Sequence, residues 1–179
     1  MRAFLGIPIP ENLKSVIEKI QDKFSNFDIK FVELENLHFN LRFFEELKEI
    51  DKVKELLESI SNQFYPFEIK IAGIGAFPSK NYVRVIWLGV KEGYQDLVNL
   101  AEIINNSLEN LGFKSEERFV PHLTLGRVRS GRNKNELITL LKELENIEVG
   151  KMKVNELILF QSILSPEGPE YKEVFKVKF

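Results

Sequence analysis

The chain has 179 residues, 44% of them hydrophobic and 29% charged, enough apolar material for one buried core and too much for a disordered chain. It contains no cysteine, which excludes disulfide frameworks, thiol nucleophiles, zinc ribbons and iron–sulfur ligation. A net charge of -2 provides no whole-molecule basic field of the kind that holds duplex nucleic acid.

The apolar stretch at the start is broken by Pro8 and Pro10 and is too short for a signal segment. No later run approaches the roughly 18 apolar residues of a membrane span, so a cytoplasmic location is expected. Ala3–Ile7 reads as a strand. After Pro10, suited to a first helical turn, Leu13, Val16, Ile17, Ile20 and Phe24 keep helical spacing. Ile29–Val32 and His38–Phe44 are short runs rich in β-branched and aromatic residues and read as strands. A second helical stripe, Val53, Leu56, Leu57, Ile60 and Phe64, follows Asp51, a suitable N-cap. In Phe67–Ala72 the apolar Phe67, Ile69 and Ile71 alternate with Glu68 and Lys70, as in an antiparallel strand covered on one face. Gly75, Pro78 and Ser79 mark a connection to the strand Tyr82–Leu88. Leu97, Leu100, Ala101, Ile104, Leu108 and Leu111 form a third helix that Gly112 stops. The strand His122–Val128, a helix over Asn133–Glu145, and the strands Val149–Val154, Glu156–Ser162 and Tyr171–Phe179 complete the chain, with a break at Ser165–Pro169.

The order strand, helix, strand, His-bearing strand, helix, strand occurs twice. An offset of about 84 residues lays Leu13–Phe24 on Leu97–Leu108 and Phe67–Ala72 on Lys151–Glu156. This predicts a single bilobal domain over 1–179 with an internal duplication. The only two histidines fall at the same offset, in Leu37-His38-Phe39-Asn40-Leu41 and Pro121-His122-Leu123-Thr124-Leu125. The strand period puts His38 with Asn40, and His122 with Thr124, on one face, while Phe39, Leu41, Leu123 and Leu125 turn to the apolar layer. A lone histidine of this kind is ordinarily structural. Two, at the same phase of a repeat, point to a shared site. Imidazoles also bind metals, but neither strand offers Asp or Glu on the histidine face to complete a shell, and no metal is expected. Arg118, Arg127, Arg129, Arg132 and Lys134 form a run without an acidic residue, either a local anion site or an ordinary solvated turn.

Together with Arg2-Ala3-Phe4, Glu35-Asn36-Leu37, Phe77-Pro78, Val85-Ile86-Trp87-Leu88-Gly89, Phe119-Val120-Pro121 and the segment Ser165 to Tyr171, these motifs resemble the 2H phosphoesterase superfamily. The similarity is to its RNA 2′,3′-cyclic phosphodiesterase group, historically called 2′-5′ RNA ligases, which carries one H-x-T-x motif per lobe. His122–Leu125 matches in full, whereas His38–Leu41 has Asn40 where the family has Thr. The resemblance implies an α+β fold in which two pseudo-symmetric lobes, each an antiparallel sheet with outer helices, face each other across a central cleft. It implies hydrolysis of RNA 2′,3′-cyclic phosphates to 2′-phosphomonoesters, with His38 the proton donor to the leaving 3′-oxygen and His122 the proton acceptor from water. It also implies reversible 2′-5′ ligation at the same site, no cofactor, and a monomer whose partners are RNA ends, tRNA fragments among them, rather than membranes.

The residues suit that chemistry. In-line displacement at phosphorus needs a base for the entering oxygen and an acid for the departing one, roles that two imidazoles on opposite sides can fill. Thr124 and Asn40 can donate to non-bridging oxygens. Arg127 can add positive charge, provided that a bulge at Gly126 turns it to the histidine face; otherwise it is an exposed or salt-bridged arginine. Phe77, Tyr82 and Tyr171 lie near loops as stacking candidates. A non-catalytic domain that binds a nucleotide or RNA end is the competing reading, favoured by Asn40.

Overall fold

The computed structural model describes residues 1–179. In chain order its elements are β1 (Ala3–Pro8), α1 (Glu11–Asp22), β2 (Ile29–Phe31), β3 (His38–Phe44), α2 (Ile50–Ile60), β4 (Phe67–Pro78), β5 (Val83–Val90), α3 (Tyr94–Asn110), β6 (Leu123–Val128), α4 (Lys134–Glu143), β7 (Glu148–Val154), β8 (Glu156–Ser165) and β9 (Gly168–Lys178). Each strand and helix expected by its range is present and in order, but the second half has no strand between α3 and β6 to match β2, so the order of elements does not recur in full.

Some boundaries move for local reasons. Pro10 is the N-cap of α1 rather than a first-turn residue, and Asp51 lies inside α2, whose N-cap is Glu49. Gly75 and Pro78 belong to β4 instead of a connection. Gly75 pairs with Trp87 of β5, and a Cβ at Gly75 would come within 2.4 Å of the indole. Glycine is needed there for the ring that lies across it, not for a turn. Gly112 does stop α3. At φ +94° its N–H donates to the Glu109 carbonyl, and that of Phe113 to the Leu108 carbonyl, the two bonds of a left-handed helix terminus.

The strands follow the order β7-β4-β5-β6-β3-β1-β8-β9, and all pairs are antiparallel. Read outward from the centre, β6-β5-β4-β7 and β3-β1-β8-β9 are two four-stranded lobes with the same sequence of roles. They meet through one pair, Phe39↔Leu123, so the lobes are halves of a single ladder rather than separate sheets. Beyond that pair β3 and β6 diverge, and β2 takes the free edge of β6. The alignment of Phe67–Ala72 with Lys151–Glu156 is corrected by this topology. Those segments are neighbours in one lobe, Phe67↔Val154 through Lys70↔Lys151, and the counterpart of β4 is β8. β4 of the first half lies beside β5 of the second, and β8 of the second lies beside β1 of the first, an exchange that a sequence offset cannot show.

The helices close the core with the stripes read from the sequence: Leu13, Ile17 and Ile20 on α1, Val53, Leu57 and Ile60 on α2, Leu97, Ala101 and Ile104 on α3, Leu137 and Leu141 on α4. Each such Leu, Ile or Val contributes about 1.5–3 kcal/mol by burial. No helix is long and apolar enough to cross a membrane.

Candidate active site

Where β3 and β6 diverge, a cleft of about 640 Å³ opens, lined by His38, Asn40, His122, Thr124 and Arg127, together with Arg2, Phe4, Lys30, Arg118 and Tyr171. All five residues singled out as site candidates are therefore brought together. The Phe39↔Leu123 pair sets their arrangement. In an antiparallel register it places Asn40 opposite His122 and Thr124 opposite His38, so that each imidazole faces the small hydrogen-bonding side chain of the other lobe.

Two matching irregularities turn these strands. Between Leu5 and Gly6 of β1 the partner on β3 jumps from Arg42 to Asn40, leaving Leu41 as an extra residue. Between Ile86 and Trp87 of β5 the partner on β6 jumps from Gly126 to Thr124, leaving Leu125 extra. Each bulge lies three residues after its histidine and shifts the strand by one phase. Arg127 thereby returns to the face of Thr124, as its proposed involvement requires, although the extra residue is Leu125 and not Gly126. Gly126 has a separate reason to lack a side chain, since a Cβ would come within 2.7 Å of Ile29 on β2. In β3 the same shift brings Phe43 to the cleft, with the Arg2 guanidinium 4.6 Å above its ring. Of the five-residue basic run, Arg118 and Arg127 line the cleft, while Arg129, Arg132 and Lys134 do not.

The two imidazoles are held alike. Nδ1 of His38 lies 2.7 Å from the Asn36 carbonyl, and Nδ1 of His122 lies 2.6 Å from the Val120 carbonyl. A carbonyl only accepts, so Nδ1 carries the proton in both rings and Nε2 is left for the cleft. Packing fixes the ring planes. Phe4 stacks on His38 at 4.3 Å and Tyr171 meets it edge-on at 5.3 Å, while Phe77 meets His122 edge-on at 5.0 Å. Of the three aromatics expected near loops, Phe77 lies in β4 and Tyr171 in β9, each against a site histidine, whereas Tyr82 packs with Arg84 at the β4–β5 turn. Asn36 also donates from Nδ2 to the Pro169 carbonyl, tying the start of β9, which carries Tyr171, to the residue that orients His38.

Burial between Phe4 and Tyr171 pushes the pKa of His38 down to about 4; the bond to Asn36 opposes this and the neighbouring His122 adds to it. Burial also raises the Tyr171 hydroxyl, against the pull of Arg127 and Arg2, and so keeps it a neutral donor. The shift at His38 has a consequence for stability. The unfolded imidazole titrates near 6.5, so between that value and 4 the unfolded chain binds a proton that the folded chain does not. Stability from this group is complete above pH 6.5 and is lost as pH falls toward 4, by about 3 kcal/mol. Urea unfolding at pH 7 and pH 4 should show that loss in the wild type and its absence in His38→Gln; equal losses in both would contradict it.

No group of three His, Asp or Glu side chains is placed to hold a metal ion. The arrangement suits displacement at a phosphate: two Nε2 atoms, donors from Asn40, Thr124 and Tyr171, and the guanidinium of Arg127.

The sequence profile of the 2′-5′ RNA ligase superfamily matches residues 9–163. The chain is 41% identical to the RNA 2′,3′-cyclic phosphodiesterase of Methanothermobacter thermautotrophicus, over 99% of each chain. It is also 41% identical to that of Methanocaldococcus jannaschii, over 97% of this chain and 98% of the relative. Among solved structures, TT0787 of Thermus thermophilus superposes with a TM-score of 0.84 at 25% identity, covering 99% of this chain and 97% of that one. The fold of E. coli LigT in complex with 3′-AMP matches with a TM-score of 0.75 at 22% identity, over 99% and 97%.

Proposed function

The chain belongs to the 2′-5′ RNA ligase superfamily, and from that premise and the geometry of its cleft we propose that it hydrolyses RNA 2′,3′-cyclic phosphodiester ends to 2′-phosphomonoesters by two-histidine acid–base catalysis. The observation that carries the reading is the pair of imidazoles, one from each lobe, each with Nδ1 committed to a backbone carbonyl and Nε2 free to face a phosphate between them.

With neutral His122 as acceptor, Nε2 takes a proton from water as its oxygen attacks phosphorus. With His38 as donor, Nε2–H delivers a proton to the departing 3′-oxygen, while the P–O3′ bond breaks and the phosphate stays on the 2′-oxygen. Donors from Asn40 and Thr124, with Arg127, stabilise the negative charge that builds on the non-bridging oxygens. The division of labour between the histidines comes from the family resemblance. Burial favours neutral His38 in the free protein, and an anionic phosphodiester supplies the countercharge that the imidazolium needs. An RNA 5′-hydroxyl in place of water gives a 2′-5′ linkage through the same atoms, and that step is reversible. A cytoplasmic monomer acting on RNA ends such as tRNA fragments, with two lobes descended from one duplicated unit, belongs to the same proposal.

Turnover of an oligonucleotide 2′,3′-cyclic phosphate tests the reading. Activity should persist undiminished in EDTA, and the acidic limb of kcat should lie above that of kcat/KM, because bound phosphate raises the pKa of His38 from its low value in the free protein. Loss of activity in EDTA, restored by a divalent ion, would replace acid–base catalysis with a metal mechanism. Binding of the oligonucleotide without turnover would favour the non-catalytic reading that Asn40 raises.

A further inference from the structure

The bulges at Leu41 and Leu125 turn the histidine strands, and two amides, Gln21 buried and Asn105 half-buried, reach them from the opposite half of the chain. Asn105 of α3 donates from Nδ2 to the Leu41 carbonyl at 3.2 Å, and Gln21 of α1 donates from Nε2 to the Leu125 carbonyl at 3.2 Å. Gln21 and Asn105 occupy the same position of their helices at the offset that relates the histidines, and Leu41 and Leu125 share that offset. The two contacts are thus one interaction made twice with the repeats exchanged. Each amide has further bonds: Gln21 Nε2 donates to the Val32 carbonyl at 3.0 Å, and Asn105 Nδ2 to the Ala101 carbonyl at 2.9 Å while its Oδ1 accepts from Arg42 at 2.9 Å. Arg42 in turn donates to the Phe113 carbonyl, at the start of the segment that leads to His122.

Both amides lie on the inward faces of their helices. Gln21 follows Ile17 by one turn and is 8% exposed; Asn105 follows Ala101 by one turn. An amide turned inward from a helix loses water and is stable there when its donors are used, as both are here. What these donors hold is the extra residue of each strand, on which the phase of Asn40 and Phe43, and of Thr124 and Arg127, depends.

We propose that Gln21 and Asn105 are positioning residues that act crosswise, the first-repeat amide fixing the strand of His122 and the second-repeat amide fixing the strand of His38. Neither touches substrate. Each holds a histidine strand in its productive phase through the carbonyl of the bulge. A misplacement of about 1 Å at reacting atoms costs on the order of 10²-fold in rate, so a loosened bulge should lower kcat roughly 10-fold while KM stays within about 2-fold.

Because the chain has only two histidines, their ring Cε1–H signals give a direct readout in the intact protein. Histidine-labelled wild type, Gln21→Glu and Asn105→Asp would be compared by NMR, with the signals assigned from His38→Ala. Both substitutions keep side-chain length and remove the donor, and Asp at 105 still accepts from Arg42. Gln21→Met and Asn105→Leu repeat the test without the added charge, and thermal melts establish that each variant is folded. Variants at Gln21 should move the His122 signal and leave His38 in place; variants at Asn105 should do the reverse. Equal effects on both histidines, effects on the histidine of the same repeat, or no effect in folded variants would overturn the proposal. The NMR arm stands apart from the phosphodiesterase reading, on which the kinetic arm rests, so failure of one is distinguishable from failure of the other.

Discussion

His38→Ala and His122→Ala should each lower kcat for cyclic-phosphate hydrolysis by roughly 10²–10⁴-fold, with KM changed no more than about 3-fold. Each substitution removes one of the two proton transfers that accompany a single displacement, and leaves the donors and arginines that hold the phosphate in place. Since both transfers belong to one step, the double variant should fall far short of the product of the single losses. Steady-state kinetics of the three variants, with circular dichroism to show that they fold, checks this. Near-normal turnover by either single variant would remove that residue from the acid–base pair. His38→Ala opens space beneath Phe4 and Tyr171, so His38→Gln is the better control for packing on that side.

The second large effect is expected at Asn40. Its amide lies on the cleft face of β3, opposite His122 in the register, at the position that Thr124 holds in the other lobe. An amide N–H donates to a phosphate oxygen as a hydroxyl does, from one atom further along the side chain. Asn40→Ala should therefore cost about 2–4 kcal/mol of transition-state stabilisation, read mainly in kcat. Asn40→Thr should cost much less, because it restores the donor found in the second motif. An Asn40→Ala variant with unchanged kinetics and unchanged stability would mean that this amide never meets the substrate.

Both motifs are legible in the sequence because the site is built on local patterns. A strand period of two carries His38 with Asn40 and His122 with Thr124 to one face, and the repeat brings the two strands into correspondence. The helical stripes are equally legible, since burial of one face is written in the spacing of Leu and Ile. What escapes a sequence reading depends on contacts between distant segments. The exchange of β4 and β8 between lobes leaves no mark on the order of elements, which is why a plain offset matches Phe67–Ala72 with its neighbour β7 rather than its counterpart β8. The return of Arg127 to the cleft can be posed only as a condition, because a bulge is a mismatch between two strands. The basic run stands out by composition, yet three of its five members do not line the cleft, while Arg2, distant in sequence and just before β1, does. Gln21 and Asn105 do carry a signal: a polar side chain on an otherwise apolar helical face, twice, at the offset of the histidines.

The most direct test of the central claim is the position of the phosphate in the product. An RNA oligonucleotide ending in a 2′,3′-cyclic phosphate, incubated with the protein and followed by ³¹P NMR, should yield a terminal 2′-phosphomonoester at a rate that collapses in both histidine variants. A 3′-phosphomonoester, or a cyclic end that persists unchanged, would contradict cleavage of the P–O3′ bond by this pair of histidines.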